Sequence, residues 1–273
     1  MPELPEVETV RHTLKKYVVG HRIIDCTSHW NNIIVGEVVE FIDRVKNQKI
    51  YDVLRMGKYL IFELDDYMMI SHLRMEGKYF YCDTSDERNK HSHICFHLDN
   101  DKDLRYDDVR KFGKLQLVDK NQYLLLPPLN NLGKEPFDIT VDELYNLFQK
   151  SSLPIKSALL EQKMIAGIGN IYANEICFAV NINPYKKAKF LTKEEVSLII
   201  EKSIKILSRA IELGGTSIHS FSSGGITGLF QQELQVHGLV GKACVNCGSE
   251  ILKCKVQQRG TYYCPVCQKE DNE

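Results

Sequence analysis

Residues 126–138 read LPPLNNLGKEPFD, a cluster of proline, asparagine and glycine that separates two differently patterned halves. N-terminal to it, from about 50 to 118, lie short β-rich runs: YLIFEL (59–64), YMMISHL (67–73), KYFYC (78–82), HICFHL (93–98) and GKLQLV (113–118). Polar or glycine-containing breaks divide them, a spacing that suits an antiparallel sandwich or barrel. C-terminal to it the period becomes helical. Thr140 with Glu143 and Thr192 with Glu195 have capping-box spacing, and Leu191 with Val196 can form a hydrophobic staple on the second helix. That helix continues through Ile200, Ile204, Leu207 and Ile211 to Gly214, a C′ glycine. A domain boundary near 130 and an α+β fold follow.

Farther upstream, Val7, Val10, Leu14 and Tyr17 share one helical face, and Gly20 is placed to end that helix. The chain has 273 residues, 43% of them hydrophobic, enough for one large domain or two modest ones. No apolar run is long enough to span a bilayer, and the acidic N-terminus lacks a secretory n-region, which predicts a cytoplasmic protein. A formal net charge of -1 offers no global attraction for a polyanion, so any nucleic-acid surface must be local.

Of nine cysteines, Cys26, Cys82, Cys95 and Cys177 are scattered singly in apolar contexts, as reduced buried cysteines are. The other five lie between 244 and 267. Cys244-Val-Asn-Cys247 and Cys264-Pro-Val-Cys267 are two CxxC knuckles separated by 16 residues, the layout of a four-thiolate site for one structural Zn²⁺. Cys254 reads as a packing residue. Lys253, Lys255 and Arg259 make the interval basic, against one acid, Glu250.

Other stretches carry two readings each. Glycines in GIGNIYANE (167–175) precede a helix start, where Asn170 either caps a tight interhelical turn or joins an anion site built on free N–H groups. Met75 lies in HLRMEG and Arg110 with Phe112 in VRKFG, beside glycines that imply turns; Phe112 alone reads as a core aromatic, or else as a wedge inserted between bases. Lys58 is a phosphate contact or a solvated strand end. His91, His93 and His97 lack the partners of a metal site.

MPELPEVE, GKYL, HLRMEG, VRKFG, GIGNIYANE, QELQVHG and a C-terminal CxxC pair enclosing QRGTYYC, in this order, resemble bacterial formamidopyrimidine-DNA glycosylase over residues 2–269. The resemblance implies an N-terminal catalytic β-sandwich with flanking helices (1–130), a helix–two-turns–helix DNA-binding domain (131–235) and a zinc-finger β-ribbon (236–273). It implies a monomer that holds damaged double-stranded DNA in the cleft between its halves, excises oxidised purines and nicks the abasic site by β,δ-elimination.

By the same resemblance Pro2, freed of Met1, is the nucleophile, Glu3 the acid/base residue, and Glu6 a carboxylate that orders water. Glu8 favours the helix N-terminus through its dipole. Lys58, His72, Asn170 and Arg259 grip phosphates by charge-assisted contacts, whereas Met75, Arg110 and Phe112 fill the void left by the flipped base. The glycine-rich segment 214–228 folds over that base. Proline commonly precedes the wedge arginine in the family and aspartate separates the paired histidines; Val109 and Ser92 stand there, which alters the turn and one supporting hydrogen bond. The rival readings are an endonuclease VIII-type enzyme for oxidised pyrimidines, a noncatalytic lesion binder if Met1 is retained, and a proline-base tautomerase, which has no use for the ribbon.

Overall fold

The structure is a computed structural model that describes residues 1–216 and 228–269. The chain divides into two compact units, Met1–Asn130 with Gly214–Leu229, and Asn131–Leu213 with Phe230–Glu273.

The first unit is a β-sandwich. One antiparallel sheet has the order β1 (Ile23–Ser28), β6 (Ser92–Leu98), β7 (Lys102–Asp107), β5 (Lys78–Asp83). The other has the order β2 (Asp52–Met56), β3 (Tyr59–Glu63), β4 (Tyr67–His72), β8 (Lys114–Asp119). Apolar side chains of both sheets, among them Val53, Leu60, Phe62, Ile94, Phe96 and Leu104, form one core. Helix α1 (Leu4–Val18) lays Val7, Val10, Leu14 and Val18 into the same core. Tyr17 departs from the expected face: it is exposed and stacks on Tyr81 at 5.1 Å, while Val18 is buried in its place. A second helix, α2 (Val38–Val45), adds Phe41 and Val45. The hairpin register Tyr59↔His72 places Lys58, in the turn after β2, beside the end of β4.

In the second unit α3 (Val141–Gln149), α4 (Ile155–Leu160), α5 (Asn170–Ala179) and α6 (Lys193–Glu212) surround a core that includes Leu144, Phe148, Leu159, Tyr172, Ile176, Ile199 and Leu207. Both capping boxes form, on Thr140 with Glu143 and on Thr192 with Glu195. Leu191 and Val196 are buried together, and Gly214 follows α6 with φ 75°, the left-handed conformation of a C′ glycine. The hairpin of β9 (Leu252–Val256) and β10 (Arg259–Tyr263) shares a small core with Phe178 of α5. The ribbon, read from sequence as a domain of its own, groups with the helices, and Gly214–Leu229 groups with the sandwich rather than with the helices before it.

Candidate functional site

Glu3 and Glu6 sit at the start of α1, and both are buried. Glu6 reaches back to accept the Glu3 N–H through Oε2 (2.9 Å), which offsets one orphan donor of the helix end. Its other oxygen, Oε1, accepts the Thr216 N–H (2.8 Å) and hydroxyl (3.1 Å). The carboxylate read as a water-ordering group is thus committed to protein donors, and it joins the helix N-terminus to the entry of the 214–228 segment. Gly215 has φ 79°, and a Cβ there would meet Glu6 Oε1 at 2.7 Å, so glycine is required on two counts. The rest of that segment, 217–227, lies outside the described residues.

The chain N-terminus is drawn into this cluster. Burial lowers the pKa of the Met1 amine; the Glu3, Glu6 and Glu76 carboxylates oppose the shift, and Lys58 adds to it. Lys58 is 5% exposed, which removes the reading as a solvated strand end.

Beside it His72 is buried, its ring 4.5 Å from that of Tyr59, and its Nδ1 accepts the Arg74 N–H (2.9 Å). Burial, with Arg74 and Lys58 nearby, pushes its pKa down to about 3. His72 is therefore neutral, with Nδ1 as acceptor and Nε2–H as donor. A neutral ring can donate Nε2–H to an anion but brings no positive charge of its own.

Glu8 also departs from its expected role. It lies past the first turn of α1 and holds Arg55 (2.8 Å), Arg11 (2.6 Å) and His12 (3.0 Å). Burial raises its carboxyl, but the two guanidiniums outweigh that and bring it to about 2. Arg55 in turn donates to the Gly57 carbonyl (3.0 Å), which secures the turn that carries Lys58.

Two neighbouring turns carry the proposed void-filling residues. Gly77 follows Met75, and Gly113 follows Phe112; a Cβ on either would strike the Tyr106 hydroxyl, at 2.1 and 1.9 Å. Tyr106 is fully buried and supports both turns. Asp108, also buried, accepts N–H groups of Arg110 (3.0 Å), Phe112 (2.8 Å) and Gly113 (2.7 Å), and its carbonyl bonds His93 Nε2 (2.7 Å). The result is that Arg110 is exposed, Phe112 is 51% exposed, and the guanidinium lies 5.0 Å from the phenyl ring. Phe112 is not a core aromatic. Met75 is half-buried. At the two departures, Val109 stands exposed in a turn that Asp108 holds without proline, and the Ser92 hydroxyl donates to Asp107 (2.5 Å).

In the second unit Gly169, not Asn170, is the N-cap of α5. The buried Asn170 Oδ1 has no hydrogen-bond partner among the described residues, which is costly for a polar atom unless a donor meets it. Arg259 opens β10 and is exposed. Asn174 of α5 accepts the Tyr262 N–H of β10 (3.4 Å), so the two elements are tied together.

The Sγ atoms of Cys244, Cys247, Cys264 and Cys267 all lie within 4.8 Å of one another, with 3.8 Å between Cys244 and Cys267 and 3.5 Å between Cys247 and Cys264. A tetrahedral ion with metal–sulfur bonds of ~2.3 Å needs sulfurs about 3.8 Å apart. The four residues therefore fit a metal ion, and Cys254 is not among them.

Residues 1–115 match the family model described as the formamidopyrimidine-DNA glycosylase N-terminal domain, and 132–222 that of its H2TH domain. A curated relative from Cytobacillus firmus, named formamidopyrimidine-DNA glycosylase, is 45% identical over 98% of this chain and all of its own. The chain belongs to the formamidopyrimidine-DNA glycosylase family. Within the family a Lactococcus lactis relative of the same name is 42% identical over 99% of this chain. The solved complex between the Lactococcus lactis enzyme and an abasic site containing DNA matches with TM-score 0.93 at 42% identity, over 98% of this chain and all of that one.

Family members are DNA glycosylases with AP lyase activity. In this glycosylase the residues that sequence reasoning missed are the buried polar ones. Asp108 and Tyr106 sit in a charged-looking run, DLRYDD, with no pattern that marks them. Lys156 has a helix-periodic context, yet it is buried and donates to the Gly260 carbonyl and Thr261 hydroxyl, both at 2.7 Å, one residue from Arg259. Glu175 accepts three consecutive N–H groups of Gln235, Val236 and His237.

Proposed function

We propose that this glycosylase excises oxidised purines, 8-oxoguanine and formamidopyrimidines, from double-stranded DNA and nicks the strand by β,δ-elimination, with Pro2 as nucleophile. The carrying observation is that Pro2 is buried next to the buried Glu3 at the start of α1, and that burial lowers the pKa of the terminal amine one residue before it, with Lys58 acting in the same direction.

Removal of Met1 makes Pro2 a secondary amine. An ordinary α-amino group has a pKa near ~8, so a usable fraction is unprotonated at neutral pH. Its lone pair attacks C1′ as the C1′–N bond breaks, and the departing base takes up the proton that the amine nitrogen loses. Glu3 protonates the sugar ring oxygen as the ring opens. Having no second proton to lose, the proline nitrogen stays a cationic iminium. This electron sink acidifies C2′; loss of that proton expels the 3′ phosphate, and a second elimination expels the 5′ phosphate. Glu6 acts as a positioning residue, through Glu3 and Thr216.

Lys58, Arg259, His72 and Asn170 hold phosphates, the first two as cations and the others as neutral hydrogen-bonding groups. Met75, Arg110 and Phe112 occupy the space of the displaced nucleotide. The four cysteines hold Zn²⁺: an all-thiolate tetrahedral set suits it and leaves no open position for water, so the ion stabilises the ribbon.

The deciding experiment is borohydride trapping on an 8-oxoguanine:cytosine duplex, with mass spectrometry of the adduct and a thymine glycol duplex in parallel. A Pro2 adduct formed preferentially on 8-oxoguanine is expected. Preference for thymine glycol would move the chain to the endonuclease VIII-type reading. A protein that starts at Pro2, binds an abasic analogue and forms no adduct on either duplex would reject the nucleophile.

A further inference from the structure

The ribbon hairpin turns through Gln257 and Gln258, between the paired Val256 and Arg259. Both have positive φ, 44° and 65°. Two successive left-handed residues give the hairpin turn that Asn-Gly satisfies without strain, whereas a glutamine Cβ crowds its own backbone there. Both side chains are exposed, and neither amide hydrogen-bonds another described residue. Nothing in the described fold offsets the strain, and residues held in such conformations cluster at functional positions. The surroundings are cationic: Lys253, Lys255 and Arg259 are exposed on the same hairpin, and no acidic residue lies in 252–263.

We propose that Gln257 and Gln258 are additional DNA contacts, whose amide N–H groups donate to phosphate and sugar oxygens of the strand that Arg259 grips. The inference rests on the reading of Arg259 as a phosphate contact. It predicts a distinctive signature. A lysine or arginine on a phosphate displaces a counterion, so its loss lowers the salt dependence of binding, while a neutral amide contributes affinity and leaves that dependence unaltered.

The test compares the full chain, loaded with zinc, with the double variant Gln257→Asn/Gln258→Gly and with Arg259→Ala. Binding to a duplex with an abasic analogue is measured over a salt series. The double variant relieves the turn, so the ribbon should release zinc to a chelator no faster than the parent. Its Kd should nevertheless rise roughly fivefold, with an unchanged slope of log K on log salt. Arg259→Ala should weaken binding and reduce that slope by about one. A double variant that binds as tightly as the parent, or that loses slope, overturns the amide contacts. If Arg259→Ala leaves affinity and slope intact, the phosphate reading fails and this inference fails with it.

Discussion

Pro2 and His72 separate two kinds of function in one buried cluster. Pro2→Gly replaces a secondary amine by a primary one, whose adduct can shed its proton and lose the fixed positive charge. Turnover on 8-oxoguanine duplex should fall by at least roughly tenfold while affinity for an abasic analogue stays close to the parent's. Unchanged turnover would sink the nucleophile assignment. His72, with its pKa driven down to about 3, carries no charge at any working pH. His72→Ala should therefore weaken DNA binding without altering its salt slope, whereas Lys58→Ala should lower the slope by about one. An equal slope loss in both variants would show that His72 binds as a cation. The amine chemistry is suggested by MPELPE only together with the motifs that follow it through the chain. The protonation state of His72 is not readable from HLRMEG, because it depends on burial and on Lys58, fourteen positions away in sequence and adjacent only across the β3–β4 hairpin.

The turn after β7 shows how an element aims side chains it does not itself favour exposing. Phe112 and Val109 face solvent because the Asp108 carboxylate takes three N–H groups and Gly113 lies directly on Tyr106. Asp108→Ala leaves those donors unmet, a cost of about 1–3 kcal/mol each where they stay dry. Excision from duplex DNA should drop about tenfold, while cleavage of a preformed abasic site in single-stranded DNA, which has no orphaned partner to displace, should persist. Equal loss on both substrates would mean general misfolding rather than a misplaced wedge. In the ribbon, chelation or Cys244→Ser should remove metal, hairpin structure and DNA affinity together; full affinity in metal-free protein would detach the ribbon from DNA binding. The capping boxes and the two CxxC knuckles were legible, since each is a short-range pattern with a local physical cause. Strands β1, β2 and β7 and helix α2 were not. In β7, Asp103, Arg105 and Asp107 alternate with Leu104 and Tyr106 as a solvent-facing strand would, yet all five are buried, since Arg105 pairs with Asp103 and Ser92 bonds Asp107.

Acid should act on the protein through its buried histidines. His237, Nδ1 bonded to Asn174, has its pKa pushed down to about 4 by burial and by Lys156 and Lys253; His72 is lower still. From an unfolded value near ~6.5 downward, the unfolded chain takes up protons that these two rings refuse, so each destabilises the fold by about 1.4 kcal/mol per pH unit down to its own folded pKa. Above about pH 7 neither contributes a slope. Glu175, whose carboxyl burial raises, acts in the opposite direction, so the measurement is a difference. His237→Gln, with a carbonyl to meet Asn174, should lose about one proton of pH dependence relative to the parent between pH 6.5 and 5 in thermal melts. Parallel curves would refute the assignment. The sequence alone determined the α+β order, the change of pattern near residue 130, the starts of α3 and α6 and the four thiolates, all of which depend on neighbours within one turn, one strand or one knuckle. Only the tertiary structure decided that Phe112 is exposed, that Glu8 is an ion-pair hub and that Glu6 holds Thr216. Those outcomes depend on dielectric surroundings and on partners brought close by folding, and a linear pattern carries neither.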